Sequence, residues 1–292
     1  MNTFTIRDIE NLCGIKAHTL RIWEQRYDFF SPKRKAGNHR QYDNEDLKNL
    51  LRISFLYHNG YKISKIAKLG EEGISDLILQ ATQTGYSHDM FINQMAEAAI
   101  DFDQNRFDGI MSSAIQHHGL EKFMFTIAYP LLRKMGMLWV TGHVIPAQEH
   151  LTCSLIIHRL LLKLDELAAV EPNKENQMLV FSPKGEMHEI PILFMYYMMK
   201  KNNVSAVYLG KNIVPEDLVY YCKHKQVTHL YFHVITNLMR CSLDQYITKL
   251  TVLFPDKIIV CSGTLVGSLA NKHPNVRILA SEKEMEVFAQ GH

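Results

Sequence analysis

The stretch Met178–Met199, MLVFSPKGEMHEIPILFMYYMM, runs from four apolar residues through a polar loop into a second, longer apolar run. A short continuous apolar run followed by Ser-Pro and Lys-Gly turn chemistry reads as a strand buried on both faces. Pro191 suits the first turn of the helix that follows. His188 therefore falls where a strand's C-terminal end turns into a helix, the place where open α/β sheets bind ligands.

Working outward, β-rich runs alternate with helical ones after residue 177. MLVF, VSAVYL, THLYFHVI, KIIVC and VRILA read as strands, and HEIPILFMYYMMKKN, PEDLVYYCKHK, SLDQYITKLTVLF and EKEMEVFAQ as helices. Five strands so separated predict a flavodoxin-like doubly wound parallel sheet over 177–292, with helices on both faces. The polar stretch AAVEPNKENQ (168–177) links it to a helical segment. From Met90 to Leu167 the helical patterning breaks at 101–105, 118–119 and 142–146, which predicts a four-helix bundle over 88–168. A loss of periodicity at about 70–88 separates that bundle from an N-terminal module, 1–72. The fold class expected is multidomain, α and α/β.

The chain has 292 residues and a net charge of +2, but residues 1–70 carry 13 Lys and Arg against 7 Asp and Glu. The basic excess belongs to the N-terminal module, as expected for a surface that displaces counterions from phosphates. No apolar run approaches a membrane span, and no long apolar segment opens the chain. Five cysteines form no CxxC pair. The expectation is a cytoplasmic protein without membrane attachment, disulfides or a cysteine zinc site. Walker, GxSxG, HExxH and GxGxxG motifs are missing, so an enzyme is not expected.

In the N-terminal module, TIRDIENLCGIKAHTLRIWEQRY reads as two helices joined at Cys13-Gly14-Ile15. Leu20, Trp23 and Tyr27 share the inner face, leaving His18, Thr19, Arg21, Gln25 and Arg26 outside, which is helix-turn-helix chemistry. Four Lys or Arg follow within 33–40, with Gly37-Asn38 able to turn a hairpin.

TLRIWEQRY, HRQY, DLKNLLRI and GYKISKIAKL together resemble the MerR family of winged-helix regulators over residues 3–69. The resemblance implies contacts to a double-stranded DNA operator from Thr19, Arg21 and Arg26 on the second helix. It adds Lys33, Arg34, Asn38, His39, Arg40 and Tyr42 from the wing. It also implies self-association, to a dimer or tetramer.

Trp139, nine intervening residues, then Glu149-His150 resembles the signature of the helical cap in MerR-type regulators that bind cobalamin. In that light-responsive carotenoid-repressor type, the three residues lie over the upper face of the corrin of adenosylcobalamin. Glu186-Met187-His188-Glu189-Ile190-Pro191 is similar to the Asp-x-His-x-x-Gly loop of cobalamin-binding domains. The resemblance makes His188 the lower axial ligand of cobalt and Glu186 its partner. Pro191 departs from the pattern, as do His233-Val234-Ile235-Thr236 in place of Ser-x-Leu and Ser262-Gly263 in place of Gly-Gly.

Three functions follow. The first is a transcriptional repressor whose oligomerisation and DNA occupancy are set by adenosylcobalamin, with light as the signal. The second is a regulator whose altered sensor binds a protein or another small ligand without cobalamin. The third, ranked below both, is a component of a corrinoid-dependent enzyme.

Overall fold

The structure is a computed structural model and describes residues 4–13, 15–27, 33–34, 40–58, 60–70, 73–74, 77, 88–140, 144–167, 173–235, 242–269 and 273–291. Its contacts divide the chain into two compact units, Met1–Leu155 and Ile156–His292.

The first unit opens on α1 (Ile6–Cys13) and α2 (Ala17–Arg26). Thr5 and Asp8 cap α1 reciprocally, Thr5 N–H donating to Asp8 Oδ2 at 2.7 Å. Two short antiparallel strands, β1 (Lys33–Arg34) and β2 (Arg40–Gln41), form the wing, and Phe4 bridges to Tyr42 beside it. Next come α3 (Asn44–His58) and the single turn α4 (Ile63–Ile66). Ile9, Leu20, Tyr42, Leu47 and Leu50 are completely or almost completely buried. Trp23 closes the core with its ring 5.0 Å from that of Tyr57. Each such burial contributes roughly 1.5–3 kcal/mol.

Four helices follow in the order expected. They are α5 (His88–Ile100), α6 (Gln104–His118), α7, and α8 (Pro146–Asp165). Asp103 caps α6, accepting from Arg106 N–H at 3.0 Å. Gly119, at φ +78°, ends α6 and starts α7. α7 is continuous through Leu120–Phe123, a π-helical turn Met124–Ala128, and Tyr129–Val140. Met95, Ala96, Phe107, Met111, Phe123, Ile127, Leu131 and Met135 form the buried stripe. Gln148 caps α8 by accepting from Ile145 N–H at 3.0 Å, and it donates to the Ile100 carbonyl at 2.6 Å.

Glu97 on α5 is 2 % exposed and accepts from two guanidinium groups through one oxygen. Arg106 of α6 lies at 2.9 Å and Arg52 of α3 at 3.3 Å. The pair neutralises a carboxylate that burial would otherwise penalise by several kcal/mol.

The second unit is a five-stranded parallel sheet in the order β4-β3-β5-β6-β7. Its strands are β3 (Asn173–Pro183), β4 (Val204–Ile213), β5 (His229–His233), β6 (Ile258–Ser262) and β7 (Val276–Leu279). The spatial order 2-1-3-4-5 is that of flavodoxin-like folds, and the chain reverses direction between β3 and β5. The crossover helices are α9 (Ile190–Lys201), α10 (Pro215–His224), α11 (Leu243–Leu253) and α12 (Glu282–Ala289). Strand alternation sorts the two faces. Leu230 and Phe232 pack with Leu218 of α10 and Leu243, Ile247 and Leu250 of α11. Tyr231 points the other way and stacks on Phe288 of α12 at 5.7 Å. β3 and β4 run longer than the apolar stretches MLVF and VSAVYL because their ladder extends into flanking polar residues.

Candidate functional site

In the basic module, α2 buries Leu20 and Trp23 and turns His18, Arg21, Gln25 and Arg26 to solvent. Arg21 and Arg26 thus stand on the exposed face of α2. Thr19 is partly exposed, its hydroxyl 3.3 Å from His18 Nε2. Lys33 and Arg34 lie on β1 with their side chains outside the described residues, as are Asn38 and His39.

Two wing residues make contacts within the module. Arg40 donates from Nε to Glu24 Oε2 at 2.5 Å with both side chains largely buried, so its charge ties the wing to α2. Tyr42 is fully buried and packs in the core. The motif that suggested phosphate contacts cannot separate these from Arg21, because Glu24 and Phe4 meet the wing only through folding. Sequence reading also passed over a second basic surface. Lys62, Lys65, Lys68 and Ser64 line a cleft around Gly60 and Tyr61, with Lys65 Nζ 5.9 Å from the Tyr61 ring centre.

In the helical segment, Trp139 occupies the last turn of α7 and is 52 % exposed, an uncommon setting for so large an apolar ring. Glu149 lies in the first turn of α8, where the helix dipole favours a carboxylate. Its Oε1 accepts from the Cys153 thiol at 3.1 Å, and His150 Nε2 stands 3.7 Å from Oε2. Burial and the Glu149 carboxylate push the Cys153 thiol pKa up, so it stays a neutral donor. His150 is exposed.

In the sheet unit, β3 ends at Pro183, and Ile190 starts α9 with Pro191 in its first turn. The helix therefore accepts the proline without loss of a needed N–H. Glu186 is fully buried. Its Oε1 lies 2.5 Å from His188 Nδ1 and accepts from His188 N–H at 3.0 Å. Its Oε2 accepts from Ile235 N–H, just past β5, at 2.8 Å. One carboxylate thus anchors the histidine loop to the neighbouring strand across the switch point. The His188 side chain remains 45 % exposed.

Beside this loop, His233 Nδ1 is 2.8 Å from Ser262 Oγ, which is 2.7 Å from Tyr231 OH. Burial pushes the His233 pKa down to about 4, with the Glu186 carboxylate opposing the shift, so its imidazole is neutral. Gly263 follows at φ +114°. Thr236 lies outside the described residues.

The donor set decides what metal chemistry fits. Among the described residues no group of three or more His, Cys, Asp or Glu could hold a metal ion. An imidazole whose Nδ1 is committed to a carboxylate offers Nε2 in a fixed tautomer. A single such donor suits a metal whose other positions a macrocycle already fills, and not a bare ion. The residues fit a corrinoid.

A winged helix-turn-helix with an exposed basic helix, joined to a sheet unit presenting one anchored imidazole, defines a DNA-binding regulator with a sensor module. Residues 4–72 match the family of MerR HTH regulatory proteins, and residues 91–166 match the B12 binding domain. The chain is 27% identical over 222 residues to the HTH-type transcriptional repressor CarH of Myxococcus xanthus, covering 74% of this chain and 73% of that one. It is 25% identical over 210 residues to the repressor CarA of the same organism, covering 71% and 68%. To the HTH-type transcriptional regulator MlrA of Escherichia coli (strain K12) it is 35% identical over 69 residues, 24% of this chain and 28% of that one. Its fold is similar to the Methanosarcina barkeri monomethylamine corrinoid protein, with TM-score 0.56 and 14% identity over 70% of this chain and 99% of that one. A MerR-type HTH region and a B12-binding region in one chain make this a cobalamin-regulated DNA-binding transcription regulator. Among the described residues no helix is long and apolar enough to cross a membrane.

Proposed function

We propose that this regulator is a repressor whose DNA occupancy and self-association, to a dimer or tetramer, are set by adenosylcobalamin and released by light. It is organised as a DNA-binding module (1–72), a helical cap (88–168) and a sheet domain (177–292). His188 would hold the cobalt of the corrinoid through Nε2, and Glu186 fixes the tautomer of its imidazole. Trp139 would pack on the ligand and exclude water, while Glu149 and His150 would offer it hydrogen bonds. When bound, adenosylcobalamin would supply a light-labile cobalt–carbon bond. The protein's part is to bind the ligand better in one assembly state than in another, since only differential affinity moves an equilibrium. Assembly then raises DNA affinity by avidity. Arg21 and Arg26 carry the helix contacts, joined by Thr19, the wing residues Lys33, Arg34, Asn38 and His39, and the phosphate-facing surface of Lys62, Lys65 and Lys68.

The observation that carries this reading is His188 itself, half exposed at the end of the first sheet strand with Nδ1 held by a buried carboxylate. The test is a DNA titration in the dark and after illumination, with and without adenosylcobalamin. Tight binding only in the dark with ligand is expected; four superimposable curves would defeat the photoswitch.

A second reading has its own support in the chain His233, Ser262 and Tyr231, which places a bulky imidazole at the ends of β5 and β6. In that reading the altered loops serve a protein partner or another small ligand. Protein that retains no corrin spectrum after dark anaerobic incubation with adenosylcobalamin decides for it.

A further inference from the structure

β4 is an edge strand, and its pairing with β3 slips twice near its end. Val180 faces Tyr208 while Phe181 faces Gly210, so Leu209 is one extra residue. Phe181 faces Gly210 while Pro183 faces Ile213, which puts a second extra residue at Lys211 or Asn212. Gly210 and Asn212 take left-handed backbone angles, φ +82° and +65°. Bulges of this kind bend a strand and re-aim its side chains, and they gather beside functional sites.

Here Tyr208, Lys211, Asn212 and Ile213 reach the loop that bears His188. Lys184 N–H donates to the Ile213 carbonyl at 2.9 Å, and Gly185 N–H donates to Asn212 Oδ1 at 3.2 Å. At the other end of the loop, Lys211 Nζ donates to Glu189 Oε2 at 2.8 Å and Tyr208 OH to Glu189 Oε1 at 2.9 Å. Glu189 precedes the first turn of α9, where a carboxylate is also favoured by the helix dipole. Although partial burial opposes it, the Lys211 and Tyr208 hydrogen bonds hold the Glu189 carboxyl below its ordinary pKa. The loop is thus fastened on both sides of His188, independently of the Glu186 anchor beneath it.

We propose that the doubly bulged end of β4, acting through Tyr208, Lys211 and Asn212, is a positioning device for the His188 imidazole. The inference rests on His188 as the axial ligand and adds the residues that aim it. Metal sites require ligands held to within about 0.5 Å, which the supporting residues must secure. With Pro191 in place of glycine, the loop has one rigid φ at its far side, and the edge strand sets the path of the remaining residues.

The test uses the full chain carrying Tyr208→Phe, Lys211→Met and Asn212→Gly together. Lys211→Met keeps the stem without the charge, and Asn212→Gly permits the left-handed backbone while removing the side chain that accepts from Gly185. Hydrogen exchange of the Gly185 and His188 amides in ligand-free protein is expected to speed by about tenfold or more. Dark release of adenosylcobalamin should speed by about 10–100-fold, as for loss of groups that orient a metal ligand. The visible spectrum should move toward that of His188→Ala. Unchanged exchange overturns the proposal, and so does faster exchange with wild-type release and spectrum. If the wild type binds no corrinoid, the axial-ligand reading falls, and the positioning proposal falls with it. Lys211→Met alone, which leaves both backbone irregularities in place, repeats the measurement if the triple variant does not fold.

Discussion

Gly263→Ala is expected to destabilise the sheet unit by about 3–5 kcal/mol. An added Cβ would stand 2.1 Å from the Val234 carbonyl oxygen, 2.8 Å from its carbon and 2.9 Å from the Val234 nitrogen. All three are backbone atoms, so no side chain can swing aside. Ordinary nonbonded contact lies near about 3.5 Å, and the segments after β5 and β6 must part by roughly 1 Å. Parting them gives up the Val234 N–H bond to the Ser262 carbonyl, 3.0 Å long, at about 1 kcal/mol. Holding alanine at φ +114° costs roughly a further 1–3 kcal/mol, and disturbed packing of buried Val234 supplies the rest. For a unit of this size the loss corresponds to a fall in Tm of about 10–20 °C. The assay follows from composition. The chain has two tryptophans, Trp23 and Trp139, both in the first unit, so their fluorescence reports that unit. Amide exchange in β5 and β6 reports the other. Expected are fast exchange in β5 and β6 with an unshifted fluorescence transition. A loss below about 1 kcal/mol would show that the close approach is not needed and refute the reasoning.

Three further outcomes follow from the same geometry. Glu97→Ala strands two guanidinium groups and should cost about 3–5 kcal/mol in thermal unfolding. Arg52→Ala should cost far less, since Arg106 still neutralises Glu97; equal losses would reverse that order. Tyr42→Ala should cost about 3–5 kcal/mol as a core truncation, and Tyr42→Phe should leave operator affinity within about twofold, whereas a tenfold weakening would make it a DNA contact. The sheet unit should weaken on acidification. The folded pKa of His233 is pushed down to about 4 from an ordinary 6.5, so its contribution is complete above pH 6.5 and is lost as pH falls toward 4. Between pH 6.5 and 5 that is about 2 kcal/mol, and His233→Gln should flatten the slope in denaturant titrations; an identical slope would assign it to other groups.

Much of this architecture is written locally. Unbroken apolar runs such as Met178–Phe181 announced buried parallel strands, and Gly119 and Pro146 marked helix ends through backbone chemistry alone. The histidine loop was readable for the same reason, since its position depends only on a strand stopping and a helix starting. What escaped were pairings distant along the chain. Arg40 sits 16 residues from Glu24, and Ile235 lies 49 residues from Glu186. No periodicity encodes such meetings, so the brace between Arg40 and Glu24 could not be read from the sequence. Tyr42 is similar: the family resemblance places it among the wing contacts, while its bridge to Phe4 draws it into the core. The bulges in β4 were also silent, because a strand with extra residues keeps a strand's composition.

The π-helical turn Met124–Ala128 gives the direction of Trp139 an unusual dependence. A π turn spends one residue more than an α turn, so everything beyond it on α7 is rotated by about 100° from the path a regular helix would take. The face on which Trp139 emerges is therefore fixed by residue count, and substitutions along the helix leave it unchanged. Among related chains, drift at that position would be marked by single-residue deletions and insertions near 124–128, and an alignment that scores only substitutions would overlook the event that turns the ring away.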